Sequence, residues 1–330
     1  MTDAHDTGAI ADSRGDASGA MSVADASDLA GRVVENIETV IVDQRNAVEH
    51  VLTAVLGGGH ILLEDVPGVG KTMLARSVAR SFDGDFRRVQ FTPDLLPTDV
   101  TGVNVFNEKT REFEFQPGPV FANVLLADEI NRAPPKTQSS LLEAMEETQV
   151  TADGETRELP DPFVVVATQN AVERDRAYEL PVAELDRFMK KLHLGYPGRE
   201  QEIDVLDRAV GGHPIDDIEA VASVEDLRRA RTATGEVAVA RPVKEYVTAL
   251  ARYTRDHAAL GVSPRGSISL LRAAQGRAVL DGRDYVVPDD VQTEAESVLA
   301  HRVRADAGGT LGGEPARSVV QRALDSVDPE

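Results

Sequence analysis

The chain has 330 residues, 42% of them hydrophobic, which is enough for roughly two domains with buried cores at about 150 residues each. It has no cysteine, which excludes disulfides and thiolate metal sites, and its seven histidines show no pair at ligand spacing, so any metal must be held by oxygen. Net charge is −21, and only six of the 35 basic residues are lysines; such a surface suits a salt-rich cytoplasm, where self-repulsion is screened, or else simply an acidic protein from a GC-rich genome.

Residues 1–28 are mostly Asp, Ala, Ser and Gly and are expected to form a disordered acidic tail. Asp3, Asp6 and Asp12 stand where a secretory signal would be basic, and no stretch approaches the roughly 18 apolar residues of a membrane span, so a cytoplasmic protein is expected. From Leu29 the pattern changes. Val48, Val51, Leu52, Val55 and Leu56 repeat at helical spacing and stop at Gly57-Gly58-Gly59.

Short apolar runs then alternate with helical segments: "HILLED" (60–65), "RRVQF" (87–91), "NVLLAD" (123–128), "FVVVAT" (163–168) and "KKLHL" (190–194). Continuous apolar runs of this length, separated by helices, predict an open α/β domain with a parallel sheet covered on both faces. Two stretches with strand-like alternation interrupt it. In "GVNVFNEKTREFEF" (102–115), Val103 and Val105 are expected opposite Phe113 and Phe115, and "QVTADGETREL" (149–159) centres on the turn pair Asp153-Gly154. After Tyr196-Pro197-Gly198 the chain reads as helices, among them Arg199 to Ala209, Pro242 to His257, Pro264 to Leu280 and Asp289 to His301. The boundaries expected are 1–28 for the tail, 29–197 for the α/β domain and 198–330 for the helical one.

The chemistry concentrates at strand ends. "DVPGVGKT" (65–72) follows an apolar strand and precedes a helix, the context of a phosphate-binding loop, although Asp65 stands in place of the first glycine. Backbone N–H groups at a helix N-terminus surround phosphate oxygens; Lys71 would reach the outer phosphates and Thr72 would ligate Mg2+. Asp65 is tolerable if it takes a positive φ, which Asp does more readily than most residues. The plain alternative is a glycine-rich turn with a surface lysine. Asp128 and Glu129 end the strand "VLLADE" at the carboxyl edge, where Asp128 would hold the metal and Glu129 would deprotonate an attacking water; alone, they could be acids facing solvent. Asn170 ends a third strand and could position that water, or merely start a turn. Arg265 follows Ser263-Pro264, a helix-start signature, where a cation is mildly unfavourable unless an anion lies near. Arg187 precedes the last strand and, alone, reads as a surface ion-pair partner.

Together "VPGVGKT", "LLADEINRAPPKTQSSLLEAMEE", "PFVVVATQN", "LPVAELDRF" and "GYPGRE" resemble the AAA+ ATPases, and more narrowly the MoxR family, over roughly residues 35–300. The resemblance implies an AAA+ P-loop NTPase core, a five-stranded parallel sheet with inserted β-hairpins, followed by an all-helical lid domain. The acidic composition adds the expectation of a halophilic archaeon as the source. In the family Asp is accepted at the position of Asp65. By residue, the resemblance implies that Asp65, Val66, Pro67, Gly68, Val69, Gly70, Lys71, Thr72 and Met73 bind ATP, with Ile41 and Val42 against the adenine. It implies Thr72 and Asp128 on Mg2+, Glu129 as base and Asn170 as sensor 1. Arg187 matches the finger that reaches a neighbouring subunit's nucleotide, Arg265 the sensor 2 arginine of the lid, and Arg132 is a further candidate at the subunit junction.

The segment "AVERDRAYELP" (171–181) departs from the family pattern in lacking its glycine and in having Ala177 before Tyr178. The implied activity is ATP hydrolysis by a homo-oligomer, a hexameric ring, remodelling or maturing a client complex, often through a von Willebrand factor A domain protein. The inserted hairpins would line its pore. A DNA motor of the MCM-like kind is the first alternative, disfavoured because Thr151 to Glu158 sets Asp153, Glu155 and Glu158 against Arg157. A nucleotide-regulated scaffold without turnover is the second, and it would need neither Glu129, Asn170 nor Arg187.

Overall fold

Five of the apolar runs form one parallel sheet: β1 (Ile61–Asp65), β2 (Phe86–Gln90), β5 (Val124–Asp128), β8 (Val164–Asn170) and β9 (Lys190–Leu192), in the order β2-β5-β8-β1-β9. The computed structural model describes residues 20–41, 44–66, 68–152, 154–170, 178–196, 198–200, 202–203, 218–304 and 316–329. Successive residues of a strand face opposite sides of a sheet, and in the central strands β1, β5 and β8 both sides are dry. Leu62, Leu125, Ala127, Val165 and Ala167 pack with Leu141, Leu142 and Met145 of α5 (Pro135–Glu147) and with Phe188. Ile61, Leu63, Leu126, Val164 and Val166 pack on the other side with Leu74 and Val78 of α3 (Lys71–Ser81). Burial on both faces is why these strands read as unbroken apolar runs.

The second apolar cluster continues from the sheet into the helices before β1 and after residue 223. These are α1 (Val23–Glu38) and α2 (Arg45–Leu56), then α7 (Val224–Glu236), α8 (Arg241–Asp256), α9 (Pro264–Leu280), α10 (Pro288–Leu299) and α11 (Ala316–Ser326). Helix α9 crosses α2 with backbones in contact, since a Cβ at Gly276 would come within 2.7 Å of the Thr53 carbonyl oxygen. A buried ion cluster joins the same elements. Lys190 of β9 and Glu294 of α10 are in contact with neither side chain exposed, and Glu294 also bonds Arg277 of α9 at 3.0 Å and His50 of α2 at 3.1 Å.

Helix α1 starts at Val23, six residues before Leu29, the expected start of the folded domain. Ser22 caps it, with Ser22 and Asp25 bonding reciprocally, and Ala26, Leu29, Ala30, Val33, Val34 and Ile37 make its buried face. Residues 1–19 lie outside the described residues, as do Val42, Pro67, Asp153, Pro197, residues 171–177 and most of the helix expected at 199–209.

Both hairpins are present, as β3 (Gly102–Asn107) with β4 (Glu112–Pro117) and β6 (Gln149–Ala152) with β7 (Glu155–Glu158). The register of the first differs from the expected one by one residue. Val103 pairs with Gln116 and Val105 with Glu114, while Phe106 faces Phe113 and Asn104 faces Phe115. The turn sets this: Asn107 accepts the N–H of Lys109 through its side chain and that of Arg111 through its carbonyl, and Arg111 sits at φ 58°. Phe106 and Phe113 consequently meet edge to face at 5.3 Å, with Phe113 72% exposed.

Candidate active site

The loop after β1 turns through Gly68 at φ 87° and Gly70 at φ 91°, and Gly70 precedes the first residue of α3, Lys71. Left-handed backbone at both glycines leaves the N-terminus of α3 open, which favours an anion there. Asp65 does not take the positive φ expected of it. It is the last residue of β1, and its buried carboxylate accepts the N–H groups of Gly195 at 2.9 Å, Leu194 at 2.5 Å and Val66 at 3.2 Å. The two glycines, not Asp65, do the turning. Val66, Val69, Thr72 and Met73 flank the loop and are partly buried, Gly68 is exposed, and Ile41 is buried in the adjoining cluster.

Lys71 donates to the Asp65 carbonyl at 3.0 Å. Burial lowers its pKa, opposed by the negative charges of Asp65, Asp128 and Glu129, and the parallel order β5-β8-β1 puts the loop lysine and both strand-end acids at one carboxyl edge of the sheet. Asp128 accepts from the Thr168 hydroxyl at 2.6 Å and from Arg88 of β2 at 2.6 Å. Glu129 sits at φ 55°, a conformation that few non-glycine residues adopt, and begins the 3-10 turn Ile130–Arg132. Three groups hold it there: its N–H donates to Thr168 Oγ1 at 2.8 Å, and its carboxylate accepts from Gln90 at 2.8 Å and Arg132 at 2.7 Å. Asn170 is buried at the end of β8, directly beside Asp65 in the sheet register.

A magnesium ion fits this donor set. Thr72 and Asp128 offer hard oxygen ligands, and Mg2+ is usually held by one or two side chains with phosphates and water completing its shell. Among the described residues no group of three or more His, Asp or Glu could hold a metal unaided.

Arg187 and Arg265 meet away from the acids that face Lys71. Arg187 bonds Glu146 of α5 at 3.3 Å, and Arg265, in the first turn of α9, contacts the other carboxylate oxygen of Glu146. Glu146 is therefore the anion that the helix-start position of Arg265 called for. Sequence reasoning missed Arg88, Gln90, Thr168 and Glu146 as individual partners. Gln90 and Thr168 had a usable signal, since both lie at the carboxyl edge of strands flanking Asp128.

A family profile described as "ATPase family associated with various cellular activities (AAA)" matches residues 60–190, and one described as "AAA lid domain" matches residues 250–323. The chain is 50% identical to the YeaC protein of Bacillus subtilis over 301 residues, 91% of this chain and 94% of that one. It is 39% identical to chaperone MoxR1 of Mycobacterium tuberculosis over 307 residues, 90% of this chain and 81% of that one. A crystal structure from Cytophaga hutchinsonii matches with a TM-score of 0.86 at 36% identity, covering 92% of this chain and 96% of that one. With this sheet, this loop and these relatives, the chain belongs to the MoxR family of AAA+ ATPases.

Proposed function

We propose that the protein binds ATP at residues 65–73 and hydrolyses it in a homo-oligomeric, hexameric ring to remodel client proteins. The observation that carries this is that Lys71, Asp128 and Glu129 lie at or after the carboxyl ends of β1 and β5, which flank β8 in one parallel sheet, while Arg187 and Arg265 converge on Glu146 of the same subunit. Glu129, fixed by Gln90, Arg132 and Thr168, takes the proton of the attacking water, and Asn170 orients that water. Mg2+, bound through Thr72 and Asp128, would supply charge neutralisation on the phosphates. The arginine pair would serve a neighbouring subunit's nucleotide, with Arg132 a further group at that junction.

The client reading extends to a von Willebrand factor A domain protein as partner, engaged through hairpins that face the ring pore. Such a client would meet the exposed Phe113 and Phe106. A DNA motor is disfavoured because Arg157, the lone cation of the second hairpin, is bonded to Glu155 at 2.5 Å and lies over the Phe115 ring. No helix among the described residues is long and apolar enough to cross a membrane. The acidic surface supports a cytoplasmic setting rich in salt, as in a halophilic archaeon.

Mixing complementary defects tests the shared site. Lys71→Ala subunits keep the arginines but lose the phosphate loop, and Arg187→Ala subunits do the reverse. Each alone should keep only a small residual rate, and an equimolar mixture should recover part of the wild-type ATPase rate; no recovery would count against a site built from two subunits.

A further inference from the structure

Arg302 ends the short 3-10 turn after α10 and is 2% exposed. Its Nε donates to the Asp186 carboxylate at 2.7 Å, Nη2 to the carbonyls of Asp186 at 3.0 Å and Phe188 at 2.7 Å, and Nη1 to the Met189 carbonyl at 3.1 Å. These partners bracket Arg187 on both sides. The same guanidinium lies against the start of α9. A Cβ on Gly266, the residue after Arg265, would come within 2.7 Å of Arg302 Cδ and 3.1 Å of its Nε. Ser263, the N-cap of α9, donates its hydroxyl to the other oxygen of the Asp186 carboxylate at 2.9 Å. The His301 ring adds a bond to the Phe188 carbonyl at 3.1 Å.

One buried side chain thus fixes two backbone segments, each carrying one of the two arginines that converge on Glu146. The chemistry requires arginine. Its planar fork presents five donors in fixed directions and so can span three carbonyls and a carboxylate, whereas a lysine brings all its donors to one nitrogen. Burying a guanidinium is costly, and the cost is tolerated only where every donor direction is used. A plain staple between helices would need no glycine at 266 and no contact with both sides of Arg187.

We infer that Arg302 is a positioning residue that sets Arg187 and Arg265 as a pair, so that movement of the lid helices is transmitted to the arginine offered to the neighbouring subunit. This rests on the ATPase reading above for its consequence, though not for its geometry. The chain has no cysteine, so spin labels can be placed cleanly at Ala183→Cys and Ile268→Cys, two exposed positions beside the two segments.

The labelled wild type should give one narrow distance, which broadens in Arg302→Lys; an unchanged distribution overturns the inference, whatever the ATPase does. In parallel, Arg302→Lys should leave the affinity for a fluorescent ATP analogue unchanged while kcat falls about a hundredfold, the scale of a misplaced catalytic group. The double variant Arg187→Ala/Arg302→Lys should be no slower than Arg187→Ala alone, and multiplied losses would overturn the inference. Asp186→Asn removes the ion pair more gently and should move both readouts in the same direction, which covers the case of a lysine variant that does not fold. If the wild type fails to hydrolyse ATP, the functional reading falls and the spin-label distances still decide the role of Arg302.

Discussion

The carboxylate of Asp65 accepts the backbone N–H of Gly195 at 2.9 Å, tying the end of β1 to the chain that leaves β9. With Leu194 and Val66 bonded as well, the acid that stands in for a phosphate-loop glycine is a buried acceptor for three backbone donors. The phosphate-loop lysine, by contrast, bonds the Asp65 backbone carbonyl, which survives any substitution. Asp65→Gly should therefore retain ATP binding while losing roughly 2 kcal/mol of stability from the orphaned N–H groups. Urea unfolding and nucleotide titration together check this; lost binding at unchanged stability would mean the carboxylate itself faces the nucleotide.

His60 is buried just before β1, with Nδ1 accepting the Val165 N–H at 3.0 Å and Nε2 donating to the Met145 carbonyl at 3.1 Å. Burial lowers its pKa from 6.5 to about 4. The unfolded chain then binds the extra proton first, so stability is full above about pH 6.5 and falls as pH drops towards 4, by about 3 kcal/mol. Unfolding free energies at pH 7.5, 5.5 and 4.5 should show this decline, and His60→Gln should flatten it. His301, also buried with a lowered pKa, leaves a residual slope of the same sign.

Lys190 and Glu294 lie where the sheet meets the helical lid. Burial opposes the charge on Glu294, yet Lys190, His50 and Arg277 hold its carboxyl down at about 2 against an ordinary 4.5. This stabilisation is present above about pH 4.5 and lost as pH falls towards 2. Glu294→Gln leaves buried cations facing a neutral amide and should cost about 3–5 kcal/mol. Adding Lys190→Met should recover more than half of that loss in thermal unfolding; simply additive losses would show that the two side chains are not coupled.

The acidic surface gives a salt prediction. In about 1 M KCl, where the Debye length is roughly 3 Å, self-repulsion is screened and the melting temperature should rise clearly above its low-salt value. A melting temperature indifferent to KCl would rule out adaptation to a salt-rich cytoplasm.

The sheet was legible because strands buried on both faces leave unbroken apolar runs, and the phosphate loop because its glycines and lysine are contiguous. The start of the folded chain was placed too late because Ala26 counts as tail composition by residue type, whereas in the closely packed helix α1 it is core. The hairpin register escaped because a turn stabilised by Asn107 with Arg111 at positive φ has no two-residue signature. Glu146 and Arg302 escaped for a stronger reason. Arg265 lies 119 residues from Glu146 and Arg302 lies 116 from Asp186, so each partnership exists only after the lid has folded against the sheet.

In the proposed mechanism Glu129 carries the chemical step, and its substitution is the most direct measurement. Glu129→Gln keeps the shape of the side chain and the backbone bond to Thr168 but cannot accept the proton of an attacking water. Nucleotide affinity and steady-state ATPase rate should be measured on the same preparations of wild type and variant, with Mg2+ present. Retained ATP binding with turnover reduced at least about a hundredfold is the result expected of a general base. Equal rates in the two proteins would contradict hydrolysis through Glu129 at this site.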